Sequence, residues 1–459
     1  MYQIHFDKPI HVHFIGIGGI SMSGLAEILL SEGFQVSGSD NQCSPLTEML
    51  TEKGARISYG QRRDNITDDI DLVVYTSAIH PDNPEFLAVQ EKGIASLTRA
   101  QLLGQMMRQY KTAIAISGTH GKTTTTAMIS DILLQEDTNP TLSIGGILKS
   151  IGGNYRVGGS DFFVTEACEY TNSFLSFFPK IGIILNVQED HLDFFKDLED
   201  IRNSFHSFAK LLPEDGCLII NGEIEAYQEL TEDVLCPVIT FGIGEGYDYY
   251  AADITYDKTG KPSFLCCGPD GFRLPVTLGK PGIHNIANAL PAIALSHYLG
   301  LKNDTVSAAL SRFEGTDRRF DYKGEIGGVT VIDDYAHHPA EIDATLSAAA
   351  RYPHKRLFCV FQPHTYSRTK AFLADFAKAL SAAGHVVLAD IYAARETDTL
   401  GISSRDLQKE IKALGCDCHY FPTFDEIENF LLENCTAGDL LITMGAGDVH
   451  KIGENLLGI

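Results

Sequence analysis

The sequence predicts an α/β protein built on parallel sheets and divided into about three domains. Short apolar runs alternate with longer amphipathic segments along nearly the whole chain, as strands alternate with helices in layered α/β proteins. The length of 459 residues is more than one hydrophobic core usually organises. Two glycine turns, at 16–19 and 118–121, each join an apolar run to a helical pattern. These turns make nucleotide binding the first function to consider.

The first domain is predicted to span residues 1–108. Its periodic segments predict a strand–helix–strand unit followed by a further strand, at 11–15, 21–31, 34–37 and 72–75. A break in the pattern near 107–111 marks the end of this domain.

The second domain is predicted to span residues 109–318. Apolar runs predict parallel strands at 112–116, 162–165, 181–185 and 217–220, with a helix at 126–134. The stretch 247–278 is rich in Gly, Tyr, Asp and Thr, which favours antiparallel strands. Helices are predicted at 283–299 and 305–311, and a linker at 313–321.

The third domain is predicted to span residues 319–459, with strands at 329–333, 357–361, 386–389 and 440–444 and helices between them. We find no internal repeat and no low-complexity tract in the chain.

Composition and charge argue against several kinds of binding partner and cellular location. The formal net charge of −24 argues against nucleic acid, because no basic field would attract a phosphate backbone. No apolar run has the length of a membrane span, and the first twenty residues are too polar for a secretory signal. The ten cysteines lack the spacing of metal ligands or of a disulfide framework. We therefore expect a cytoplasmic protein with no membrane insertion.

The most informative segment is the turn that contains Gly118, Thr119, His120, Gly121, Lys122, Thr123 and Thr124. A strand, a glycine turn and a helix in this order direct backbone N–H groups and a helix N-terminus at one anion. Lys122 adds a charge for the outer phosphates, and the hydroxyl of Thr123 can hold Mg²⁺. The usual phosphate-loop pattern has a glycine where this chain has Ile116, so the loop is shorter. This compact form favours an ATP-dependent ligase over a motor or a GTPase, with a chance Gly-Lys-Thr match as the alternative.

A second glycine turn closes the first predicted strand with Gly16, Gly18 and Gly19. It resembles a dinucleotide fingerprint, but Ser21 stands where the third glycine belongs, and Asp40 follows the next strand. We favour a nucleotide-diphosphate group of a substrate over a nicotinamide here. The structural alternative is a tight turn that packs the helix on the strand.

Two polar residues follow strands of the second domain. Glu166 ends the strand at 162–165, and His191 comes shortly after the strand at 181–185. Parallel strands bring both to the sheet edge that also carries the phosphate loop. Glu166 and Thr123 offer the oxygen ligands that Mg²⁺ prefers, whereas His191 suits a second metal or an outer role. The alternatives are a solvated acid and a contact within a loop.

Residues near the second domain boundary could serve ATP. Asn285, near the start of a predicted helix, could meet an adenine edge or could merely cap the helix. Arg318, beside the linker, could bring a cation to the phosphates or could lie on the surface.

The third domain carries two polar loops directly after strands, at 333–339 and 362–368, and a weaker one at 444–448. We expect the first two to follow neighbouring strands and to face one cleft. Their imidazoles, acids and guanidinium suit an amino acid's carboxylate and ammonium groups. Solvated loops are the alternative.

In its motifs the chain resembles the Mur ligase family over essentially its whole length. The resemblance rests on segments in a fixed order: GIGGISMSGLA (16–26), GTHGKT (118–123), EACEYTNSFL (166–175), NVQEDHLD (186–193), HN (284–285), RRF (318–320), DDYAHHP (333–339) and FQPHTYSRT (361–369). It implies an N-terminal Rossmann-like domain for a UDP-sugar, a central P-loop ATPase domain and a C-terminal Rossmann-like domain for an amino acid. The implied reaction uses ATP and Mg²⁺ to join L-alanine to the lactyl carboxylate of UDP-N-acetylmuramate through an acyl phosphate.

The resemblance also implies roles for individual residues. For catalysis it implies Lys122, Glu166, His191 and Arg318, with Thr123, Glu166 and His191 as metal ligands. ATP would further contact the loop 118–124, Asn285, and Asp333 or Asp334. The UDP-sugar would contact Gly16, Gly18, Gly19, Ser21, Asp40 and Ser77, and the amino acid Tyr335, His337, His364 and Arg368.

Two departures from the family pattern concern single positions. Thr365 stands where many relatives carry arginine, which weakens one part of the expected carboxylate clamp. Several sister ligases use a carbamylated lysine after the metal-binding histidine, but the region 202–208 contains no lysine.

Three other functions compete with that of an alanine-adding ligase, and different residues argue against each of them. A ligase that attaches a whole tripeptide to UDP-N-acetylmuramate shares the N-terminal motif, so only the amino-acid pocket separates it; the segment 171–178 favours the alanine-adding enzymes. An NAD-dependent oxidoreductase would leave Lys122, Glu166 and the third domain without a role. A silent nucleotide sensor would not need Lys122, Thr123 and Glu166 together. For assembly, we expect a monomer or a homodimer.

Overall fold

The computed structural model describes residues 2–76, 79–394 and 396–459, which excludes Ser77 of the predicted UDP-sugar site. The chain forms two compact units. Unit 1 comprises Met1–Val187, Glu199–Ile220 and Ile224–Ile239, and unit 2 comprises Gln188–Leu198, Asn221–Glu223 and Thr240–Ile459.

The N-terminal part of unit 1 is a doubly wound parallel sheet. Its strands are β1 (His11–Ile15), β2 (Gln35–Asp40), β3 (Arg56–Tyr59), β4 (Leu72–Tyr75) and β5 (Ala95–Thr98). They lie in the order β3-β2-β1-β4-β5, so the chain reverses direction across the sheet between β1 and β4. Such a reversal creates a crevice at the carboxyl ends of the strands. Its helices are α1 (Ile20–Ser31), α2 (Pro45–Glu52), α3 (Pro84–Lys92) and α4 (Arg99–Met107).

The rest of unit 1 contains a second group of strands. These are β6 (Thr112–Ser117), β7 (Thr141–Leu148), β8 (Gly153–Arg156), β9 (Phe162–Glu166), β10 (Ile181–Ile184) and β11 (Cys217–Asn221). They follow the order β8-β7-β9-β6-β10-β11, with only β8 antiparallel to its neighbour. The helices are α5 (Lys122–Gln135), α6 (Leu198–Ala209) and α7 (Tyr227–Leu230). Because β6 has parallel neighbours on both sides, the phosphate loop leaves the middle of a carboxyl edge.

The segment 238–277 forms strands of mixed pairing. The first two residues of β12 (Val238–Ile243) belong to unit 1, and β13 (Tyr249–Tyr256), β14 (Pro262–Cys267) and β15 (Arg273–Thr277) belong to unit 2. The pairs β13–β14 and β14–β15 are antiparallel, as the composition of 247–278 predicted. Two helices follow, α8 (Ile283–Tyr298) and α9 (Asn303–Arg312).

The last sheet belongs to the C-terminal part of unit 2. Its strands are β16 (Asp321–Ile326), β17 (Val329–Asp334), β18 (Leu357–Phe361), β19 (Gly384–Leu388), β20 (Asp417–Tyr420) and β21 (Leu440–Met444), in the order β16-β17-β21-β18-β19-β20. All pairs are parallel except β16–β17. The helices are α10 (Pro339–Ala349), α11 (Tyr366–Ala371), α12 (Leu373–Leu380), α13 (Ser404–Ala413), α14 (Phe424–Asn434) and α15 (His450–Leu457). Two apolar clusters contact opposite faces of this sheet and bury Val360 and Phe361 completely.

Two predictions about this sheet are corrected. The strands β17 and β18 are not neighbours, because β21 pairs with both of them. The loop after β21, predicted to be the weakest of the three, therefore leaves the strand between the other two. The predicted linker 313–321 also ends inside β16, since Asp321 pairs with Asp333.

Within the described residues, no helix is both long and apolar enough to cross a membrane.

Candidate functional site

The N-terminal glycine turn is held by the residue that was predicted to bind substrate. Gly16 has a φ of +83°, which favours glycine, and its N–H and that of Ile17 both donate to the carbonyl of Ser39. The N–H of Gly18 donates to Asp40 Oδ2 at 2.8 Å. A Cβ on Gly18 would lie 2.8 Å from that oxygen. Asp40 thus fixes the turn, and its contact with the UDP-sugar stays a prediction.

The turn continues directly into α1. Gly19 is the residue before the first turn of the helix, and Ser21 lies in that turn, partly exposed. No side chain caps this helix end, so its first N–H groups remain available to an anion.

The phosphate loop has the backbone that its glycines predict. Gly118 has a φ of +142°, and a Cβ there would lie 2.8 Å from Leu185 Cβ. Gly121 has a φ of +85° and immediately precedes α5, which begins at Lys122. Both positions therefore require glycine, and Thr123 and Thr124 fall in the first helical turn. The predicted helix at 126–134 is confirmed and begins four residues earlier.

Asn186 clamps this loop from the neighbouring strand end. Its Oδ1 accepts from the N–H of His120 at 2.8 Å, and its Nδ2 donates to the carbonyl of His120 at 3.0 Å. The carbonyl of Asn186 also accepts from the N–H of Thr119 at 3.1 Å. Asn186 opens one of the family motifs, but no role was predicted for it.

Lys122 is paired with a second acid for which no role was predicted. Its Nζ lies 3.0 Å from Glu169 Oε2 and also donates to the carbonyls of Gly118 and Thr119. Only 3% of the Glu169 side chain is exposed. Burial opposes the charge on Lys122, but Glu169 and Glu166 outweigh it and raise its pKa well above the ordinary value. The ammonium is thus held charged inside the loop. The signal in the sequence was the second acid in Glu166-Ala-Cys-Glu169, on the same strand end.

Thr123 and Glu166 form the oxygen-rich part of this site. Thr123 Oγ1 donates to Glu166 Oε2 at 3.2 Å, and Glu166 Oε1 accepts from the N–H of Gly145. A hydroxyl and a carboxylate side by side suit Mg²⁺, which takes oxygen ligands and keeps several waters. The two residues therefore fit the predicted metal. The third predicted ligand, His191, belongs to unit 2, and its part in the set stays a prediction.

In unit 2, His191 adjoins a buried ion pair. Arg368 donates to Asp190 Oδ1 from Nη2 at 2.8 Å and from Nε at 3.2 Å, and each side chain is 9% exposed. His191 has a φ of +53°, and its Nε2 lies 3.8 Å from Asp190 Oδ2. Burial disfavours the Asp190 carboxylate, but Arg368 and His191 outweigh it and hold its pKa below the usual range. No role was predicted for Asp190, although it directly precedes the predicted metal-binding histidine.

The four residues predicted for the amino acid lie together in unit 2. Arg368 Nη1 donates to His364 Nδ1 at 3.1 Å, and the rings of His364 and His337 have centroids 5.6 Å apart. The ring of Tyr335 contacts that of His337, with centroids 5.5 Å apart. Burial lowers the pKa of His337 to about 4, although Glu341 opposes this, so its imidazole is neutral near pH 7. His337 Nδ1 then donates to the carbonyl of Tyr335 at 3.0 Å.

Thr365, which departs from the family pattern, has a structural role in this cluster. It precedes α11 with a φ of +66°, and its Oγ1 accepts from the N–H of Arg368 at 3.4 Å. The threonine thus orients the helix turn that presents Arg368.

Arg318 is anchored to the C-terminal sheet. Its Nε donates to Asp333 Oδ2 at 3.0 Å, and its Nη2 donates to the carbonyl of Gly445 at 2.7 Å. Asp334 instead accepts from the N–H groups of Phe320 and Ala336. Burial raises the pKa of Asp334 to about 6, with Arg319 opposing. Asp333 and Asp334 are both almost fully buried, and a ribose contact of either stays a prediction.

Asn285 is buried near the start of α8 and is not the cap. Gly282 occupies the capping position, so the alternative of a capping asparagine is wrong. Asn285 Nδ2 donates to the carbonyl of Pro281 at 2.7 Å, and its Oδ1 accepts from Asn288 at 3.3 Å. A contact with adenine stays a prediction.

Comparison with known families matches three successive parts of the chain. Residues 11–111 match the "Mur ligase family, catalytic domain", residues 116–296 the "Mur ligase middle domain", and residues 318–447 the "Mur ligase, glutamate ligase domain". The chain belongs to the Mur ligase family. The predicted division into three α/β domains is confirmed, whereas the boundaries after residues 108 and 318 stay predictions.

Individual relatives extend over the full length. The chain is 61% identical to a UDP-N-acetylmuramate–L-alanine ligase of Lachnospira eligens, covering 100% of both chains. It is 52% identical to the enzyme of that name from Clostridium botulinum, covering 98% of this chain and 97% of that one. Among solved structures, the UDP-N-acetylmuramate–alanine ligase of Thermotoga maritima has a TM-score of 0.81 at 30% identity and covers 98% of both chains. A murein peptide ligase of Psychrobacter arcticus has a TM-score of 0.72 at 25% identity over the same shares.

Proposed function

We propose that this Mur ligase joins L-alanine to the lactyl carboxylate of UDP-N-acetylmuramate with consumption of ATP, the first amino-acid addition in peptidoglycan synthesis. The observation that carries the proposal is the 61% identity to an alanine-adding enzyme over the whole of both chains. The murein peptide ligase, which represents the rival function, is 25% identical. A cytoplasmic location follows from the need for ATP.

The phosphate-loop geometry supports the first step. A carboxylate oxygen of the acceptor attacks the γ-phosphorus of ATP, the bond to the bridging oxygen breaks, and ADP leaves with acyl phosphate as the other product. Lys122 and the backbone N–H groups of the loop would offset negative charge on the transferred group. Mg²⁺, held by Thr123 and Glu166, would neutralise phosphate charge when bound.

The cluster in unit 2 supports the second step. Arg368 would pair with the carboxylate of alanine, because a guanidinium matches a carboxylate in two parallel hydrogen bonds. The alanine amine attacks the acyl carbon, phosphate leaves, and the amine loses a proton as the amide forms. Since His337 is neutral, it would place no second positive charge beside the ammonium of the incoming amino acid.

Phosphate release tests the proposal. The purified chain is incubated with ATP, Mg²⁺ and UDP-N-acetylmuramate, with L-alanine in one reaction and L-Ala-γ-D-Glu-meso-diaminopimelate in another. We expect release with alanine and a product heavier by one alanyl residue. Release with the tripeptide alone would assign the chain to the rival function. A reaction without UDP-N-acetylmuramate controls for simple ATP hydrolysis.

A further inference from the structure

The segment 389–394, which follows β19, is fastened to one of the polar loops of the C-terminal sheet. The N–H of Tyr392 donates to the carbonyl of Pro363 at 2.8 Å, and the N–H of Thr365 donates to the carbonyl of Tyr392 at 2.9 Å. These two bonds make a parallel bridge between His364 and Tyr392. Because β18 and β19 are parallel neighbours, the bridge continues their pairing beyond the strand ends. The segment therefore holds the backbone on both sides of His364.

The side chain of Tyr392 contacts the same loop. Its ring lies nearly parallel to the imidazole of His364, with ring centroids 5.7 Å apart and 26° between the planes. Aromatic rings attract each other in such a stacked arrangement. Over the ranges that the structure describes, the hydroxyl of Tyr392 makes no hydrogen bond, so the contact is made by the ring. Tyr392 is 38% exposed, which places the stack at the surface of unit 2 and not in its core.

The loop after β21 leaves room for this ring. A Cβ on Gly447 would lie 2.8 Å from Tyr392 Cγ and 3.0 Å from its Cδ2. The same Cβ would lie 2.4 Å from Gln362 Oε1. Gly447 does not have a positive φ, so its neighbours, and not its backbone conformation, require a glycine at this position. The Tyr392 ring thus fits between the loop after β21 and the imidazole of His364.

The imidazole that Tyr392 contacts is bonded to the residue expected to bind the carboxylate of alanine. Arg368 Nη1 donates to His364 Nδ1 at 3.1 Å. A guanidinium can only donate, so the bond requires the ring of His364 to keep the lone pair of Nδ1 directed at Arg368. Asp190 accepts from Nε and Nη2 of the same guanidinium. The guanidinium is therefore held by Asp190 and by His364, and Tyr392 supports the second of these contacts.

We propose that Tyr392 is a positioning residue for the amino acid. Its ring fixes the imidazole of His364, and His364 in turn fixes the guanidinium of Arg368 for the carboxylate of alanine. The inference rests on the proposed function and adds to it a residue from outside the loops that carry the predicted contacts. Tyr392 acts on the carboxylate end of the ligand, which all amino acids share. Loss of its ring should therefore weaken the binding of amino acids without changing which of them is preferred.

Kinetics with alanine test this role. Tyr392→Leu removes the ring and keeps the backbone bridge. We expect the KM for alanine to rise by about 3- to 10-fold, as for a lost aromatic pair, with kcat and the affinity for ATP within about twofold. Tyr392→Phe keeps the ring and should restore the KM of the unmodified chain. A merely structural loss would instead lower kcat, because fewer molecules would be active.

Glycine separates positioning from a direct contact with the ligand's side chain. It shares the carboxylate of alanine and lacks the methyl group, and its inhibition of the alanine reaction measures its affinity. We expect Tyr392→Leu to weaken glycine and alanine by the same factor. A ring that contacted the methyl group would weaken alanine alone, since one such group in a pocket changes affinity by about tenfold or more. Unequal losses would overturn the proposal, and so would an unchanged KM.

Tyr322→Leu is the matched control, because Tyr322 is 56% exposed on β16 of the C-terminal sheet. It should leave the KM for alanine and the inhibition by glycine as they are in the unmodified chain. Gly447→Ala gives a second test, which does not depend on the folding of Tyr392→Leu. Its methyl group would displace the Tyr392 ring and should raise the KM for alanine. An unchanged KM in Gly447→Ala would contradict the proposal.

Histidine ring signals in nuclear magnetic resonance spectra measure the stack directly, independently of the reaction. The signal missing from His364→Asn identifies His364. This signal should move in Tyr392→Leu and stay in place in Tyr392→Phe, and a signal that did not move in Tyr392→Leu would overturn the proposal. An unmodified chain that releases no phosphate with alanine would contradict the proposed function, and the spectra would still decide whether Tyr392 positions His364.

Discussion

The phosphate loop of unit 1 and the polar cluster of unit 2 both contain buried ionisable side chains, and they control the charge of these side chains in different ways. In the loop, Lys122 belongs to a short, continuous motif and is kept charged by Glu169, which is 47 residues away in sequence. In the cluster, Arg368 is matched by Asp190, which is 178 residues away in sequence, while His337 is kept neutral by burial. The first site takes its backbone shape from local glycine turns, whereas the second depends on a charge pair that spans a much greater sequence distance. Substitutions should therefore affect chemistry most in the loop and binding most in the cluster.

The largest effect is expected in the loop. Lys122→Ala should lower kcat by about 10²–10³-fold or more, because its ammonium is the charge directed at the transferred phosphate. The Asn186 clamp does not use the lysine side chain and should persist, whereas the bonds of Lys122 Nζ to Gly118 and Thr119 are lost. Phosphate release under saturating substrates measures kcat, and circular dichroism confirms folding.

Lys258→Ala is the control for this comparison, because that lysine is exposed in unit 2. It should retain full turnover. Near-normal turnover of Lys122→Ala would contradict the assignment of the phosphate loop.

The same contrast explains what the sequence predicted well. The phosphate loop is contiguous, so Gly118, Gly121, Lys122 and Thr123 could be assigned from the order of residues alone. Glu169, Asn186 and Asp190 lie within the family motifs, but their partners depend on which strand ends adjoin. A linear pattern cannot supply that information.

Strand prediction missed edge strands with weak burial, and also β7, although Leu142, Ile144 and Leu148 are buried. The runs at 72–75, 357–361 and 440–444 are apolar and were predicted with correct bounds. The edge strands β3 and β8 have no fully buried residue, so they lack the apolar runs that identify a strand. The strand at 34–37 was predicted too short, because its end contains Gly38, Ser39 and Asp40.

An intermediate effect is expected from the long-range pair. Asp190→Asn should leave Arg368 charged and buried without its counter-ion. Removing one partner of a buried ion pair typically lowers the free energy of unfolding by about 3–5 kcal/mol. Since Arg368 is also the expected contact for the alanine carboxylate, the KM for alanine should rise by at least about tenfold, while the affinity for ATP is retained. Initial rates at varied alanine and a fluorescent ATP analogue measure the two.

Glu91→Gln is the control, because it breaks an exposed ion pair with Arg63. The side chains of Glu91 and Arg63 are 54% and 58% exposed. An exposed pair contributes about 0–1 kcal/mol, so this variant should behave as the unmodified chain. If Asp190→Asn left the KM for alanine unchanged, Arg368 would not depend on Asp190 for its position, and long-range pairing would not distinguish the two sites.

The smallest effect is on the pH dependence of stability, and it tests whether burial keeps His337 neutral. The pKa of His337 is about 4 in the folded chain, against about 6.5 for an exposed histidine. Between these values the unfolded chain binds a proton that the folded chain does not. The contribution of His337 to stability is therefore complete above pH 6.5 and decreases as the pH falls, by about 2 kcal/mol at pH 5. Urea unfolding of the full chain at pH 7.5 and 5.0 measures this difference in the free energy of unfolding.

His337→Asn should reduce that pH-dependent loss by about the same 2 kcal/mol, whatever its effect on stability at pH 7.5. His5→Asn, at an exposed position, should reproduce the unmodified chain at both pH values. Carbon-13 labelling of histidine gives an independent measurement, because the signal missing from His337→Asn should not titrate between pH 8 and 5 in the unmodified chain. A signal that titrates near pH 6.5 would show that His337 is charged in mild acid. The cluster would then balance its charges by pairing, as the phosphate loop does, and the contrast between the two sites would be one of sequence distance alone.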